Sequence, residues 1–299
     1  MKARFFKLFR NVLVLSTGRG NDRSGWMNNL HHKLSYRLHK ALPFLGITGI
    51  QRVGVPGMPG RFMCVRAEDG GVAHQLIMYR EYEPFESKLV REHLKPGMTV
   101  YNIGANLGYY SLLASECIGA GGKVFAFEPE SRNLELLRKT IVENGCYNVE
   151  ICSMAVSQET GAAMLSISEA NSGDHRLTAI ANREQVKVEV TSIDTFIAQG
   201  HAPPDTIIMD VQGSELDVLR GAESLLQSNT PLILFTEFWP GGLNERHPNG
   251  ARAVLDILER AGFQFHQIDE RKKRLIPITG GELIRKFHGD MEVNLLCTR

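Results

Sequence analysis

Cysteine is scarce in this chain and never arranged in a CxxC pair: Cys64, Cys117, Cys146, Cys152 and Cys297 are the five in 299 residues. An odd and scattered set builds neither a disulfide framework nor a zinc site, and it suits a reducing, cytoplasmic setting. Long apolar runs are missing too, so no membrane-spanning helix is expected. The short run NVLVL (11–15) leads into STGRGND rather than a small-residue cleavage site, and is read as neither signal peptide nor anchor. No internal repeat and no low-complexity segment is present. Acid is nearly absent from the first 67 residues, where twelve Lys or Arg face the single acid Asp22. The remainder holds 22 basic and 32 acidic residues, so the overall charge of +1 hides a strong asymmetry. A basic arm of this kind meets an anionic surface, or docks on its own acidic body; charge alone does not choose.

What is present divides the chain into an arm and a regular α/β region. In KARFFKLFRNVLVL (2–15), Phe5, Phe6, Phe9 and Leu13 are spaced for an amphipathic helix, suited to an anionic membrane surface through residues 1–20. A second basic helical stretch is expected over 26–42, and VGVPGMPG (53–60) reads as a linker closing a 1–60 extension. RFMCVRA and VAHQLIMY flank EDGG, which predicts a β-hairpin at 61–80 opening a domain that runs to residue 299. EPFESKLVREHL predicts a helix stopped by KPG.

From Thr99 strands and helices alternate: TVYNIGA, LGYYSLLASECI, KVFAFEP, SRNLELLRKTIVEN with Ser131 placed as its cap, then VEICSMAVS. AAMLSIS and VKVEVTSIDTFI predict strands around the polar loop EANSGDHRL. TIIMDVQ, the helix SELDVLRGAESLLQS, PLILFTEFW, GARAVLDILERAG and the strands FQFHQIDE and EVNLLCTR complete the chain. Apolar strands alternating with amphipathic helices predict a mainly parallel sheet covered on both faces.

In such a sheet ligands sit at the carboxyl ends of the strands. The first strand of the alternation ends in Asn102-Ile-Gly104-Ala-Asn106-Leu-Gly108. This GxNxG turn differs from the GxGxxG that a dinucleotide's diphosphate requires. Its glycines let a ligand approach the main chain, and the second strand ends in Glu128, an acid able to accept hydrogen bonds from both hydroxyls of a ribose. Turn and acid on successive strands together point to a nucleoside ligand.

With YEPFE (82–86), KPGMTVYNIGANLGYYSLLA (95–114), VFAFEP (124–129), NVEICSMAVSQETG (148–161), SIDTF (192–196) and PDTIIMDVQGSELDVLRGA (204–222) in this order, the chain resembles the FkbM family of S-adenosylmethionine-dependent methyltransferases. The resemblance spans about residues 80 to 240. It implies a Rossmann-like class I methyltransferase fold with a mainly parallel seven-stranded sheet flanked by helices. It also implies S-adenosylmethionine as cofactor: Asn102, Gly104, Asn106 and Gly108 around its methionine part, Glu128 on the ribose, and Ser153, Met154 and Ala155 by the adenine. The implied reaction is O-methylation of a sugar, glycan, lipid-linked or polyketide-type acceptor. Two positions depart from the family pattern, Asn102 where Asp is usual and Gln212 where Glu is usual.

Removing a proton from an acceptor hydroxyl calls for a carboxylate or imidazole within hydrogen-bond reach. Asp210, at the tip of the fourth strand beside the glycine turn, meets both cofactor and acceptor, and Glu237 ends the neighbouring strand. His175 in NSGDHRL is the candidate imidazole base. Gln212 and the loop residues Trp239, Arg246 and His247 are the candidate acceptor contacts, an aromatic platform beside a cation. No metal is expected: EFW at the strand tip adds no further ligand beside Glu237, and His31, His32, His288 and Asp290 lack a completing set. An (N/D)PPY segment is missing from the fourth strand, which weighs against N-methylation and against nucleic acid as partner. The reading from another class is a non-catalytic, membrane-associated or cofactor-binding interaction protein.

Overall fold

The computed structural model describes residues 34–169, 171–228 and 230–299. The expected amphipathic helix at 2–15, and the membrane contact assigned to residues 1–20, lie outside the described residues. Of the helical stretch expected at 26–42, residues 34–40 are helical. Two compact units emerge, one running to Glu83 with Glu169–Gly173, the other comprising Pro84–Ser168 and Asp174–Arg299. The division therefore falls at Glu83–Pro84 rather than at residue 60. Among the described residues no helix is long and apolar enough to cross a membrane.

In the first unit, β1 (Ile50–Gly54) and β2 (Phe62–Arg66) form an antiparallel hairpin, with Ile50 opposite Arg66 and Gly54 opposite Phe62. The hairpin thus exists, but its turn is the Gly/Pro-rich segment expected to be a linker. VAHQLIMY is not its second strand; it forms helix α1 (Val72–Tyr79). The physical reason is periodicity. The run has no polar–apolar alternation, and Ala73, Leu76 and Ile77, all buried, fall at the i, i+3, i+4 positions of one helical face.

The second unit opens with α2 (Pro84–His93), whose first N–H groups at Phe85 and Glu86 donate to the Glu270 carboxylate at 3.1 and 2.6 Å. Then follow β3 (Thr99–Ile103), α3 (Tyr109–Ile118), β4 (Lys123–Phe127), α4 (Ser131–Glu143), β5 (Val149–Cys152), β6 (Ala155–Val156), β7 (Gly161–Ser166), β8 (Gln185–Thr191) and α5 (Ile193–Ala198). The chain continues through β9 (Thr206–Met209), α6 (Glu215–Arg220), α7 (Glu223–Gln227), β10 (Ile233–Phe238), α8 (Pro240–Arg246) and α9 (Gly250–Arg260). It ends with β11 (Gln264–Asp269), β12 (Arg274–Ile278), α10 (Gly280–Lys286) and β13 (Val293–Thr298).

The main sheet has the order β12-β11-β13-β10-β9-β3-β4-β5. Its β10-β9-β3-β4-β5 half is parallel, and β13, β11 and β12 add antiparallel. The expected Rossmann-like α/β sheet is present, with eight strands rather than seven. The additional strand is β12, which folds back on β11 through the polar turn after Asp269. A separate three-stranded sheet holds β6, β8 and β7.

Every residue of β9 is buried, as are the last four of β3 and of β4, as expected for strands covered on both faces. Tyr101, Phe125, Phe127 and Phe196 pack there with ring centroids 4.9–5.6 Å apart, and the Tyr101 hydroxyl donates to the Ala202 carbonyl at 2.8 Å. Beyond buried area, each such aromatic pair contributes about 1 kcal/mol.

Three local expectations are corrected. The strand read through SIDTFI stops at Thr191, because Ser192 accepts the Thr195 N–H and starts α5. The single helix expected over SELDVLRGAESLLQS breaks at Gly221, where any side chain would overlap the Ser157 carbonyl oxygen. Helix α4 is capped by Glu130, whose carboxylate accepts the Asn133 N–H at 2.7 Å; Ser131 is already its first residue.

Candidate functional site

The turn leaving β3 takes three left-handed steps, with φ of 80° at Gly104, 50° at Asn106 and 91° at Gly108. A side chain at Gly104 would overlap the Asp210 carbonyl oxygen, so the tips of β3 and β9 meet main chain to main chain. At Gly108 a Cβ would lie 2.5 Å from Leu137 Cδ1 of α4. Gly104 and Ala105 donate their N–H groups to the Phe127 carbonyl at 3.0 and 2.8 Å, fastening the turn to the tip of β4. Asn106 tolerates its backbone conformation as few residues do, and its Oδ1 accepts the Leu107 N–H at 2.7 Å. Asn102 is buried on β3 and donates through Nδ2 to Ser111 Oγ at 2.8 Å, tying the strand to α3.

Glu128 stands directly beyond β4. It is buried, and its two oxygens accept one N–H each, from Asn106 at 2.8 Å and from Glu130 at 2.8 Å. Burial pushes its pKa up to about 7 against those hydrogen bonds. The Asn133 side chain is a third hydrogen-bond partner, so of the about four acceptor directions of a carboxylate one remains for a further donor. Beside it, β5 ends at Cys152, whose carbonyl accepts the Glu128 N–H at 3.1 Å. Ser153 and Met154 form the bend before Ala155 begins β6, and Arg138 donates to Ser153 Oγ at 2.6 Å. The turn, Glu128 and the 153–155 bend are thus brought together along the tips of three neighbouring strands.

Asp210 and Glu237 are also neighbours. Met209 pairs with Thr236 in register, so each acid is the next residue on its own strand. The residue between them is Gln212, whose Nε2 donates to Asp210 Oδ1 at 2.7 Å and to Glu237 Oε2 at 3.2 Å. Asp210 remains accessible to solvent, yet its pKa is raised, first by the protein atoms crowding its carboxyl and then by the Glu292 carboxylate; the Gln212 hydrogen bond opposes both. Behind the loop, buried Glu215 accepts the Val211 and Gly213 N–H groups at 3.2 and 3.3 Å, and burial raises its pKa to about 7.

His175 has its Nδ1 occupied by the main chain. That nitrogen accepts the Ser168 N–H at 3.0 Å, which puts the proton of the neutral ring on Nε2, 4.0 Å from Glu130 Oε2. The lone pair that a base would use is engaged by the backbone. Arg246 and His247 also depart from the expected acceptor platform. Both turn to the buried carboxylate of Asp217, at 2.5 and 2.6 Å, and Arg246 reaches Thr178 Oγ1 at 3.2 Å. The segment expected as a loop is helix α8, and the cation over the Trp239 ring is Arg176, 4.5 Å from its centroid. Arg176 is itself paired with Asp174 at 2.6 Å and with Glu245 at 3.7 Å.

Sequence reasoning missed Glu130, Glu215, Asp217 and Arg176. Glu215 carried a legible signal, an acid in the first turn of a helix just after a strand tip. Asp217 had none, since Arg246 lies 29 residues away in the chain, and nothing local to Arg176 announces Trp239, 63 residues on. Among the described residues no cluster of His, Cys, Asp and Glu could hold a metal ion.

The model of the methyltransferase FkbM domain matches residues 102–265, more than half of the chain, from the strand carrying Asn102 through β11. The chain belongs to the FkbM methyltransferase family. A curated relative of this FkbM protein is the hexuronic acid methyltransferase AglP of Haloferax volcanii, 25% identical over 143 residues. That match covers 47% of this chain and 56% of AglP, so the chain spans little more than half the length of that relative. Among solved structures, the methyltransferase FkbM of Methylobacillus flagellatus KT is similar at 16% identity, with a TM-score of 0.42, 76% of this chain and 52% of that one covered. The precorrin-6y C5,15-methyltransferase of Geobacter metallireducens GS-15 is similar at 14% identity, with a TM-score of 0.41, 78% and 94% covered.

Proposed function

We propose that this FkbM protein methylates a hydroxyl oxygen of a sugar-containing or related acceptor, with S-adenosylmethionine as methyl donor. The observation that carries the proposal is the juxtaposition of the glycine turn with the Asp210–Glu237 pair: the Asp210 main chain packs on Gly104 while the residue stays exposed to solvent. The turn fits the donor because glycine leaves main chain bare where a ligand would approach. Glu128 fits its ribose because the carboxylate, held by two N–H groups and the Asn133 side chain, keeps an acceptor direction for a ribose hydroxyl. Asn102 and the turn would hold the methionine part, and the Ser153–Ala155 bend would border the adenine. When bound, S-adenosylmethionine supplies a methyl group on a sulfonium sulfur, an electrophile that needs no further activation.

The chain's own contribution is orientation and proton transfer. Asp210 sits where a hydroxyl of the acceptor would point toward the donor, and it takes the proton as the oxygen forms its bond to carbon. Its raised pKa brings it closer to that of a group matched to neutral pH than an ordinary aspartate. Glu237, held through the same amide, orients the acceptor. Arg176 stacks over Trp239 beyond Glu237, while Arg246 and His247 are held by Asp217. AglP is named for a hexuronic acid, and a sugar acceptor accords with that name.

The test is mass spectrometry of purified protein incubated with isotopically labelled S-adenosylmethionine and a panel of glycosides, uronosides and extracted glycolipids. A product heavier by one labelled methyl, absent with Asp210→Asn, supports the proposal. Labelled methyl found only on nitrogen would replace it with N-methylation.

A further inference from the structure

Gln212 combines two features that methyl transfer by Asp210 does not by itself require. Its backbone lies at φ 51°, a conformation costly for a residue other than Gly, Asn or Asp. And its single amide nitrogen serves two carboxylates, Asp210 Oδ1 at 2.7 Å and Glu237 Oε2 at 3.2 Å. The orientation of the amide follows from chemistry, since only the NH₂ end can donate and it has one hydrogen for each acid. A carboxylate at this position, the more usual residue in the resemblance, would have no hydrogen to offer at neutral pH.

From this we infer that Gln212 is a positioning residue, a neutral clamp that holds Asp210 and Glu237 side by side at adjacent strand tips and keeps the pair in its ionised form. Its role in methyl transfer rests on the function proposed above; the clamp itself does not.

The electrostatic setting explains why such a clamp matters. Asp210, just beyond β9, acts electrostatically on the buried Glu215 of α6, and Glu292, just before β13, adds its charge to Asp210; Glu237 stands on the neighbouring β10. The Glu292 charge favours a proton on Asp210. The Gln212 side-chain amide and its backbone N–H, both bonded to Asp210, oppose it, and the amide alone also reaches Glu237. The left-handed backbone at Gln212 is what lets one side chain span both acids from within the same loop.

The experiment measures the pair directly. Protein carrying ¹³C-labelled Asp and Glu carboxyls is titrated by NMR, with resonances assigned through Asp210→Asn and Glu237→Gln. Gln212→Leu removes the donors at similar size; Gln212→Gly removes them and also relieves the backbone. In both, the upper titration step of the Asp210–Glu237 pair is expected to move to higher pH by about one unit or more. Gln212→Gly should lose no thermal stability, which separates positioning from a structural role. Curves superimposable on wild type would overturn the clamp, as would a Gly variant that melts earlier with an unshifted titration. With an acceptor from the labelled-donor screen, kcat should fall and its acid limb should move to higher pH while KM for S-adenosylmethionine stays constant. A shifted titration in a protein that transfers no methyl group would keep the clamp and remove the methyl-transfer reading. An unshifted titration in an active enzyme would remove the clamp alone.

Discussion

Replacing Glu128 by Gln should remove a pH-dependent loss of stability from the free protein and weaken its cofactor complex. In the folded chain burial holds the Glu128 carboxyl at a pKa of about 7, against an ordinary 4.5. Between those values the native state binds more protons than the unfolded chain, so stability falls as pH rises through this window. Below it both states are protonated and the loss vanishes; above it the loss is complete, about 3 kcal/mol for one group. Glu215 has a similar raised pKa and imposes a parallel slope, so the informative quantity is the difference between variant and wild type. Glu128→Gln has no charge to bury. Its stability relative to wild type should climb by about 3 kcal/mol from pH ~4.5 to pH ~8, whatever constant offset its altered hydrogen bonds impose. Urea denaturation at those two pH values, without cofactor, reads that difference. Calorimetry with S-adenosylmethionine should show the opposite sign, an affinity lower by about 1.5–3 kcal/mol where a charged acceptor for ribose hydroxyls is lost. Wild-type affinity should also rise with pH through about 7, as Glu128 ionises. Parallel stability curves would refute the burial argument, and an unchanged affinity in a folded variant would refute the ribose assignment.

Asp210→Asn keeps shape and removes the base, so kcat should fall by roughly 10²–10⁴ with S-adenosylmethionine affinity little changed, whereas His175→Ala should retain the wild-type pH–rate profile; steady-state kinetics across pH checks both. Gly104→Ala should lower the melting temperature sharply, because φ 80° alone costs about 1–2 kcal/mol and the methyl group would overlap the Asp210 carbonyl. A variant melting with wild type would show that β3 and β9 can part without penalty. Residues 1–20 should carry salt-sensitive binding to anionic liposomes, about 1 kcal/mol per engaged Lys or Arg, and flotation of the full chain against a deletion of 1–20 reads it. A full chain that stays with the soluble fraction at every salt concentration would assign the arm to another role.

The parts legible in the sequence are those governed by local periodicity. The strands around Tyr101, Phe125 and Ile207 are short apolar runs bounded by turn residues, and the glycine turn announces itself at Gly104 and Gly108. Glu128, Asp210 and Glu237 fall on strand tips simply because their strands could be bounded. What is not legible depends on partners distant in the chain. Arg246 and His247 look free in sequence, yet Asp217 takes both, and the arginine that covers Trp239 comes from a loop more than sixty residues earlier. Helix α1 is open to a local reading through the i, i+3, i+4 spacing of Ala73, Leu76 and Ile77, but the EDGG turn signal ahead of it favours a hairpin. His175 can be singled out as an imidazole in a polar loop, but only the fold shows that Ser168 occupies its acceptor nitrogen.

Asn102 and Gln212 are both amides where the family resemblance leads one to expect acids; Gln212 bonds two carboxylates, while Asn102 is buried on β3 against Ser111. Restoring the acid with Asn102→Asp tests what that exchange achieves. The side chain is buried and touches Ser111 Oγ at 2.8 Å; the hydroxyl can turn and donate to a carboxylate, so the hydrogen bond survives. Charge does not transfer as easily. A buried aspartate without a cation costs several kcal/mol, part of which is avoided by keeping its proton. The free variant should therefore be less stable than wild type at neutral pH and approach it as pH falls. The amino group of S-adenosylmethionine is the cation that the introduced carboxylate would lack, and binding should tighten as the ionic hydrogen bond replaces a neutral one. Thermal melts with and without cofactor, together with calorimetry, measure both effects. Saturating S-adenosylmethionine should raise the melting temperature of the variant by more than that of wild type. A variant that loses stability and gains no affinity would show that no cation reaches this strand tip, and the placement of the methionine part beside Asn102 would fall with it.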